Sequence, residues 1–204
     1  MEIGLESEIP SYSGGLGVLA GDTIHSFADL GIPAVCITLL YKKGYTTQKL
    51  TAHGMQLDFD ELWDYKKFLK PLDIKIELFF GDKKQFATAW EYEVKSKENV
   101  KVFFLDADLP ENDPEIRKIN DKLYIGDPLL RLRQEILLGI GGYRLLKALG
   151  YNINVYHINE SHSSFLIVEL LKDLGSLEKV RQRCVFTTHT PVSTGHEKFP
   201  IDLV

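Results

Sequence analysis

The pattern of hydrophobic and polar positions at the start of the chain predicts a helix followed by a buried strand. After a short apolar opening strand at residues 3–5, apolar side chains recur at helical spacing in 16–30, and Gly31 and Pro33 end that pattern. Residues 34–41 are almost continuously apolar and rich in β-branched side chains. Such a run is typical of a strand that is buried on both faces.

The middle of the chain has a different pattern. Three segments, 74–80, 85–94 and 101–105, alternate between apolar and polar positions or run apolar, and short polar stretches separate them. This pattern predicts a meander of antiparallel strands. We expect it to form an antiparallel β-rich insertion, at about 72–106, in a single α/β lobe that spans 1–204.

Helical patterning returns after the meander. Residues 127–149 form the longest predicted helix, with Gly150 at its end, and a strand at 154–158, a helix at 159–174 and a strand at 184–188 follow. The apolar stripe of the long helix comprises Leu129, Leu132, Ile136, Ile140 and Tyr143. This alternation predicts an α/β fold with a Rossmann-like, doubly wound, mainly parallel sheet, in which ligands bind beyond the carboxyl ends of the strands.

Composition and charge describe an ordinary globular domain. The 204 residues suffice for one large domain or one lobe of a larger protein, and 44% of them are hydrophobic. The net charge of −5 is dispersed, so neither nucleic acid nor an anionic membrane surface is an expected partner. No apolar run approaches the ~18 residues of a membrane span. Cys36 and Cys184, expected as buried free thiols, fit a reducing cytoplasm.

A glycine-rich turn at the start of the first helix is the leading candidate for ligand binding. Gly14, Gly15, Gly17 and Gly21 would leave backbone N–H groups free at the positive end of the helix dipole, where a phosphate or a sugar oxygen can bind. A tight turn without a ligand explains the glycines equally well. Ala20 replaces the third glycine of a dinucleotide fingerprint, and no P-loop lysine follows, so neither nucleotide class is favoured.

Polar residues also follow the two later strands, at the edge where the glycine turn is expected. Asn159, Glu160 and His162 follow the first of these strands, and His189 ends the second, which is expected to be buried, just before a proline. Asn159 and Glu160 are alternatively explained as caps of the next helix, and His162 as a packed or surface residue. For His189 a functional role is the favoured interpretation.

Two arginines lie near the start of the longest predicted helix. Because the helix dipole disfavours positive charge there, we expect Arg131 and Arg133 to pair with carboxylates or with a ligand. The alternative is ordinary surface ion pairing. His196 and Glu197 are interpreted as surface residues. No His, Cys or acidic cluster has the spacing of a metal site, so no metal is expected.

Six segments give the chain a resemblance to a known family. They occur in family order and cover nearly the whole chain: residues 1–22, 40–45, 123–127, 131–142, 159–162 and 186–200. The chain resembles the α-glucan phosphorylases, which include the glycogen, starch and maltodextrin phosphorylases, and above all their shorter archaeal and bacterial type. This resemblance implies the N-terminal lobe of a two-lobed glycosyltransferase-B architecture.

The resemblance also implies a reaction and a cofactor. In this family, inorganic phosphate attacks the terminal α-1,4 bond of a glucan or maltodextrin, and glucose 1-phosphate is released reversibly with retention. The site lies between two lobes, and a lysine of the C-terminal lobe holds pyridoxal phosphate. The phosphate group of that cofactor, rather than its aldehyde, exchanges a proton with the substrate phosphate.

Individual residues acquire expected roles from the same resemblance. His189 would contact the glucose ring and is the expected catalytic residue. Backbone N–H groups of the glycine turn would contact phosphate and glucose, and the other residues would line the sugar site or a substrate-side loop. The expected substrate- and phosphate-binding residues are Gly14, Gly15, Leu16, Asp127, Asn159, Glu160 and His162.

The extent of the chain sets a further expectation. In the family pattern it begins within the first strand–loop segment and ends, at Val204, before the lobe that carries the cofactor lysine. We therefore expect a half-site that needs the C-terminal lobe or a second chain for turnover. Two alternatives stay open: a glycogen-synthase-like glucosyltransferase, disfavoured because Tyr12 and Ser13 stand where its loop usually carries a lysine, and a non-catalytic glucan-binding lobe.

Overall fold

The computed structural model describes residues 1–192 and 197–203 as a mixed α/β chain. The α-helices are α1 Gly15–Leu30, α2 Pro128–Ile136, α3 Gly142–Ala148, α4 Leu166–Leu174 and α5 Leu177–Arg181. The strands are β1 Val35–Leu39, β2 Thr47–Leu50, β3 Gln56–Phe59, β4 Lys70–Pro71, β5 Ile76–Phe80, β6 Lys83–Val94, β7 Val100–Asp106, β8 Tyr156–Asn159 and β9 Cys184–Thr187. No helix of this described part is both long and apolar enough to cross a membrane.

The main sheet joins β1 to the meander. Its strand order is β1-β7-β6-β4, with β5 also paired to β6. β1 runs parallel to β7, whereas β6 is antiparallel to β4, β5 and β7. The predicted antiparallel meander is confirmed, and β7 places it in the same sheet as β1. β8 and β9 form a separate parallel pair, and β2 and β3 form a separate antiparallel hairpin.

Both faces of the main sheet are covered by helices. On one face, Phe103 of β7 packs in a cluster with Leu145 of α3, and on the other face Phe104 packs with Ile24 and Ala28 of α1. All of these side chains are buried. Because burial of one such large side chain contributes about 1.5–3 kcal/mol, this layered core holds α1 and its glycine turn in place.

The long helix predicted at 127–149 is present but is not regular. A π-helical turn, Leu137–Gly141, separates α2 from α3. Leu129, which was expected in the apolar stripe, is 37% exposed, while Leu137, outside that stripe, is fully buried. Gly150 follows α3 with a φ of 78°, so the predicted helix end is confirmed.

The predictions for the first and the last strand of the chain are both wrong. Residues 3–5 form no strand, and this segment is instead held by single backbone bonds such as Gly4 N–H to Gly17 O, 2.8 Å. β9 is not buried, because α4 and α5 cover only part of the β8–β9 pair, and Val185 and Phe186 are about half exposed.

The predicted helix at 159–174 is also wrong at its beginning. A short 3-10 turn, Ser161–Ser163, follows β8, and the α-helix itself begins at Leu166. Asn159 is the last residue of β8 rather than a helix cap. The two cysteines, Cys36 and Cys184, are free and only partly buried.

Candidate functional site

The glycine turn leaves backbone donors free at the start of α1. Gly14 is the N-cap residue and no side chain caps it. Among the described residues, none accepts a hydrogen bond from the backbone N–H of Gly14, Gly15 or Leu16. A Cβ atom at Gly14 or Gly15 would meet nothing within 4 Å, so both glycines face open space. Free N–H groups at a helix N-terminus form a site suited to an anion or a sugar oxygen.

The other two glycines of the turn have a packing role. A Cβ atom at Gly17 would lie 2.4 Å from Cβ of Tyr12, and one at Gly21 would lie 1.6 Å from the carbonyl oxygen of Gly4. Both glycines therefore allow the opening segment to lie directly against α1. The four glycines thus divide into a pair that faces open space and a pair required by close packing.

A cleft lies between the glycine turn and the end of β8. Its lining residues are Met1, Glu2, Leu16, Tyr124, Asn159, Glu160 and His162. Four of the expected site residues, Leu16, Asn159, Glu160 and His162, therefore meet at one place. The lining does not include the other expected residues. Asp127 is exposed and caps α2, with its carboxylate accepting from Leu130 N–H at 2.9 Å.

Asn159, which lines this cleft, has an unused side-chain acceptor. Its side-chain oxygen Oδ1 is buried and has no hydrogen-bond partner among the described residues. A buried amide oxygen without a partner costs stability, and in native proteins such an atom usually has a ligand or water as its partner. The capping interpretation of Asn159 is therefore excluded, and the oxygen is free for a ligand donor.

Glu160 holds the loop that carries His189. Its carboxylate accepts hydrogen bonds from the backbone N–H of His189 (2.5 Å) and Thr190 (3.1 Å) and from the hydroxyls of Thr188 (3.1 Å) and Thr190 (3.2 Å). Burial acts to raise the pKa of this carboxyl, but these donors outweigh it, and the pKa lies below its ordinary value. The carboxylate is thus ionised and fully engaged by the loop.

The backbone of Glu160 is strained. Its φ of 58° and ψ of −174° fall in a region that is nearly restricted to glycine. Its N–H donates to Thr187 O at 2.8 Å, which joins the ends of β8 and β9. His189 itself has an exposed side chain on this clamped loop. The structure therefore fixes the backbone of His189 and leaves its ring accessible.

Two residues that the residue-by-residue sequence reasoning missed connect the glycine turn to the rest of the cleft. Glu2 accepts from Ser13 N–H (2.6 Å) and Ser13 hydroxyl (3.2 Å) through one carboxylate oxygen, and from the Tyr124 hydroxyl (2.8 Å) through the other. Tyr124 has a φ of 57°, which is unusual for a non-glycine residue. The sequence feature that could have pointed to both residues is their position within segments 1–22 and 123–127, which carry the family resemblance.

A buried cluster of charged groups lies behind the cleft. Arg131, which is 6% exposed, forms an ion pair with Glu197, and its Nη2 lies 3.0 Å from Nδ1 of His162. Glu135 Oε1 lies 3.4 Å from the same Nδ1. The predicted pairing of Arg131 with a carboxylate is confirmed, as is that of Arg133, which pairs with the carboxylate of Glu115.

The same cluster corrects one interpretation and bears on another. Glu197 is not a free surface residue, because it pairs with Arg131, and His196 lies outside the described residues. The ligand atoms of Glu135, His162 and Glu197 lie within 4.8 Å of one another, a spacing that a metal ion could use. The guanidinium of Arg131 already supplies the positive charge at this place.

Burial shifts two pKa values in this cluster. It raises the pKa of Glu135 to about 9, helped by the hydrogen bond with Glu197 and by the negative charge of that carboxylate. It also lowers the pKa of His162 to about 3, helped by the positive charges of the amino terminus and Arg131. Both groups are therefore neutral near pH 7.

Comparison with solved structures agrees with this architecture, whereas comparison with protein-family models gives no match. The catalytic domain of starch synthase IV from Arabidopsis thaliana, bound to ADP and acarbose, superposes with a TM-score of 0.57 and 15% identity, covering 91% of this chain and 31% of that one. At this identity the likeness concerns the fold alone. By its fold, the chain is a lobe of the glycosyltransferase-B type.

Sequence relatives narrow the class further. The maltodextrin phosphorylase of Thermococcus litoralis is 44% identical over 98% of this chain, and the glycogen phosphorylases of Mycobacterium tuberculosis and Aquifex aeolicus are 39% and 36% identical over all of it. The chain covers only 26%, 26% and 31% of their respective lengths. In sequence, the chain is similar over nearly its whole length to maltodextrin and glycogen phosphorylases.

Proposed function

We propose that the chain forms the glucan- and phosphate-facing lobe of an α-1,4-glucan phosphorylase, which cleaves α-1,4-glucan or maltodextrin with inorganic phosphate to give glucose 1-phosphate, reversibly. The relatives named above support the family of reactions. The observation that carries the proposal is the cleft itself. Leu16, the last residue of the glycine turn with a free backbone donor, and Asn159, with its unused acceptor, both line this one small site.

Each side of the cleft has a distinct proposed role. The N–H groups of Gly14, Gly15 and Leu16 donate to phosphate oxygens and to the glucose ring, because they stand at the positive end of α1. Asn159 accepts from a sugar hydroxyl. His189, on the loop that Glu160 fixes, contacts the glucose, and Asp127 belongs to the loop on the substrate side. A positively charged, oxocarbenium-like transition state beside phosphate needs such preorganised groups.

Pyridoxal phosphate is the proposed cofactor of the complete enzyme. It would supply a phosphate group that exchanges a proton with the substrate phosphate. The free N–H groups of the glycine turn fit an anion of this kind, whereas the residues lining the cleft include no lysine to hold its aldehyde. We therefore place its attachment on the C-terminal lobe or a second chain. A cytoplasmic location is part of the proposal and is supported by the free thiols.

Calorimetry with maltotetraose, with and without inorganic phosphate, tests the sugar-binding role. Asn159→Ala is expected to abolish sugar binding and to leave the free energy of unfolding almost unchanged, since its side-chain oxygen has no internal partner. Asn154→Ala, which removes an exposed amide on the segment leading to β8, is the matched control. Equal loss of binding in both variants, or in neither, contradicts the proposal.

A second measurement tests the half-site. The chain is incubated with maltoheptaose, phosphate and pyridoxal phosphate, and glucose 1-phosphate is assayed. We expect no turnover from this chain alone, and sustained turnover would show that the half-site proposal is wrong. Binding of maltotetraose that phosphate does not alter would instead favour a glucan-binding lobe. The glucosyltransferase alternative receives no support from the phosphorylase relatives.

A further inference from the structure

We propose that Arg131 is a positioning residue whose guanidinium holds Nδ1 of His162 as a hydrogen-bond acceptor, so that the ring proton lies on Nε2 and is available to an oxygen atom of a ligand in the cleft. The part concerning the ligand rests on the proposed function. The part concerning the proton rests only on the geometry of the buried cluster.

Nδ1 of His162 faces a hydrogen-bond donor of Arg131. Nη2 of Arg131 lies 3.0 Å from Nδ1 of His162. A guanidinium has five N–H donors and no acceptor, so the imidazole nitrogen must be the acceptor in this bond. A neutral imidazole that accepts at Nδ1 carries its proton on Nε2.

The other groups that face the ring leave Arg131 as the donor to Nδ1. Glu135 Oε1 lies 3.4 Å from Nδ1, and because burial raises the pKa of Glu135 to about 9, this carboxyl carries a proton near pH 7, which is engaged by the hydrogen bond with Glu197. The remaining ionisable groups near the ring are the carboxylates of Glu160 and Glu197 and the amino group of Met1. The low pKa of His162 is consistent with a ring that stays neutral.

The position of the guanidinium is fixed from several directions. Arg131 forms an ion pair with Glu197 and lies 5.2 Å from the centre of the Tyr124 ring. Tyr124 is in turn bound to Glu2, which also binds the glycine turn through Ser13. A side chain held by an ion pair and by a stacked ring loses little entropy on binding His162, so it can select one tautomer.

This assignment defines what His162 offers to a ligand. Since Nδ1 is engaged by Arg131, Nε2 is the ring nitrogen left for the cleft that His162 lines. A neutral Nε2–H group donates a hydrogen bond and does not exchange a proton near pH 7. Asn159, which lines the same cleft, has a side-chain oxygen without a partner among the described residues. A donor and an acceptor together match a hydroxyl group, which both donates and accepts, and therefore favour a sugar hydroxyl as the ligand here.

Nitrogen-15 NMR of the histidine rings in the full chain tests the tautomer. We expect wild-type His162 to show the Nε2–H form as its single neutral species at pH 7. Arg131→Met removes every N–H donor of the guanidinium but keeps a long, unbranched side chain. It also leaves Glu197 without its cation. His162 is then expected to carry a proton on Nδ1 as its major species. Arg131→Lys, which restores a donor-only cation, is expected to restore the wild-type form.

Arg133→Met is the matched control, since this arginine lies two residues away and pairs with Glu115 instead. An Nδ1–H form in the wild type, or the same spectrum in wild type and Arg131→Met, overturns the proposal. If Arg131→Met does not fold, the spectra of the wild type and of Arg131→Lys test the proposal, since both are expected to show the Nε2–H form. Addition of maltotetraose is expected to shift the Nε2–H resonance. An Nε2–H form that the sugar leaves unchanged would refute the proposed function but not the positioning role.

Discussion

The main sheet and the rim of the cleft, defined as residues 156–162 and 184–190, are stabilised in different ways. The sheet buries large apolar side chains such as Phe103 and Phe104 between two layers of helices. The rim leaves Phe186 about half exposed and instead buries polar groups, of which Glu160 is the most highly bonded. The stability of the sheet therefore depends on the apolar volume that it buries, whereas the stability of the rim depends on the direction of individual hydrogen bonds.

This difference has a consequence for function. Apolar burial has no directional preference, so a core can set the overall fold without placing any one atom accurately. The rim must hold the His189 backbone and the Asn159 oxygen at defined positions, and hydrogen bonds to a carboxylate do so. We therefore expect changes in the sheet to act on global stability and changes in the rim to act locally.

The largest expected effect is the removal of a ring from the sheet. Phe104→Ala should lower the free energy of unfolding by about 3–5 kcal/mol, because a buried Phe is replaced by a cavity. Phe186→Ala, in half-exposed β9, should cost less than half as much. Urea denaturation followed by circular dichroism measures both. Similar losses at the two positions would remove the distinction between the sheet and the rim.

The glycine turn contains the same contrast within one helix. Gly21→Ala should cost about 3 kcal/mol, since the new Cβ would lie 1.6 Å from the carbonyl oxygen of Gly4 and the backbone must move. Gly15→Ala faces open space and should be neutral or slightly stabilising, yet should weaken binding of inorganic phosphate. Thermal unfolding and phosphate titration check the pair. A stable Gly21→Ala variant would show that close packing is not the reason for this glycine.

The sequence was most informative where the periodicity of apolar residues is long and regular. The strand at 34–41, the helix at 16–30 and the meander were predictable because burial on one or two faces imposes a period that can be read directly. The π-turn at Leu137–Gly141 was not predicted although it contains Gly139 and Gly141, because glycines in a helix do not by themselves specify a change of helical phase. Leu129 was wrongly placed in the buried stripe: it lies in the first turn of α2, ahead of the π-turn, and is exposed, whereas Leu132 one turn later is buried.

The cleft was predictable in part. The rule that ligands bind beyond strand ends, together with the family resemblance, brought Leu16 and Asn159 to one site. The buried cluster was not, because Glu135 and Glu197 come together only through the tertiary fold and no local spacing connects them. Glu160 was assigned to the sugar site, whereas its carboxylate is engaged by the His189 loop. Only coordinates reveal which partner a buried carboxylate has.

A smaller and local effect is expected when the clamp of the rim is weakened. Glu160→Gln removes the charge that four hydrogen bonds share and should lower the local stability of the 188–190 loop by about 2 kcal/mol, roughly 30-fold in amide protection. Hydrogen exchange of the His189 and Thr190 amides measures it, with exposed Glu178→Gln as the control. Unchanged protection would mean that the loop does not depend on this carboxylate.

A final prediction separates two buried carboxyl groups by the sign of the pH dependence that each gives to the free energy of unfolding. The folded-state pKa of Glu135 is raised to about 9 from an ordinary value of 4.5, so between these pH values the unfolded chain has lost a proton that the folded chain keeps. Stability contributed by Glu135 is therefore present below pH 4.5 and is lost as the pH rises towards 9. Glu160 has a lowered pKa and acts in the opposite sense: its contribution is present above 4.5 and is lost as the pH falls through its folded-state pKa. Urea denaturation of Glu135→Gln and the wild type from pH 5 to 9 should accordingly show a difference that moves in favour of the variant as the pH rises. A difference that is constant over this range would mean that Glu135 is ionised in the folded chain.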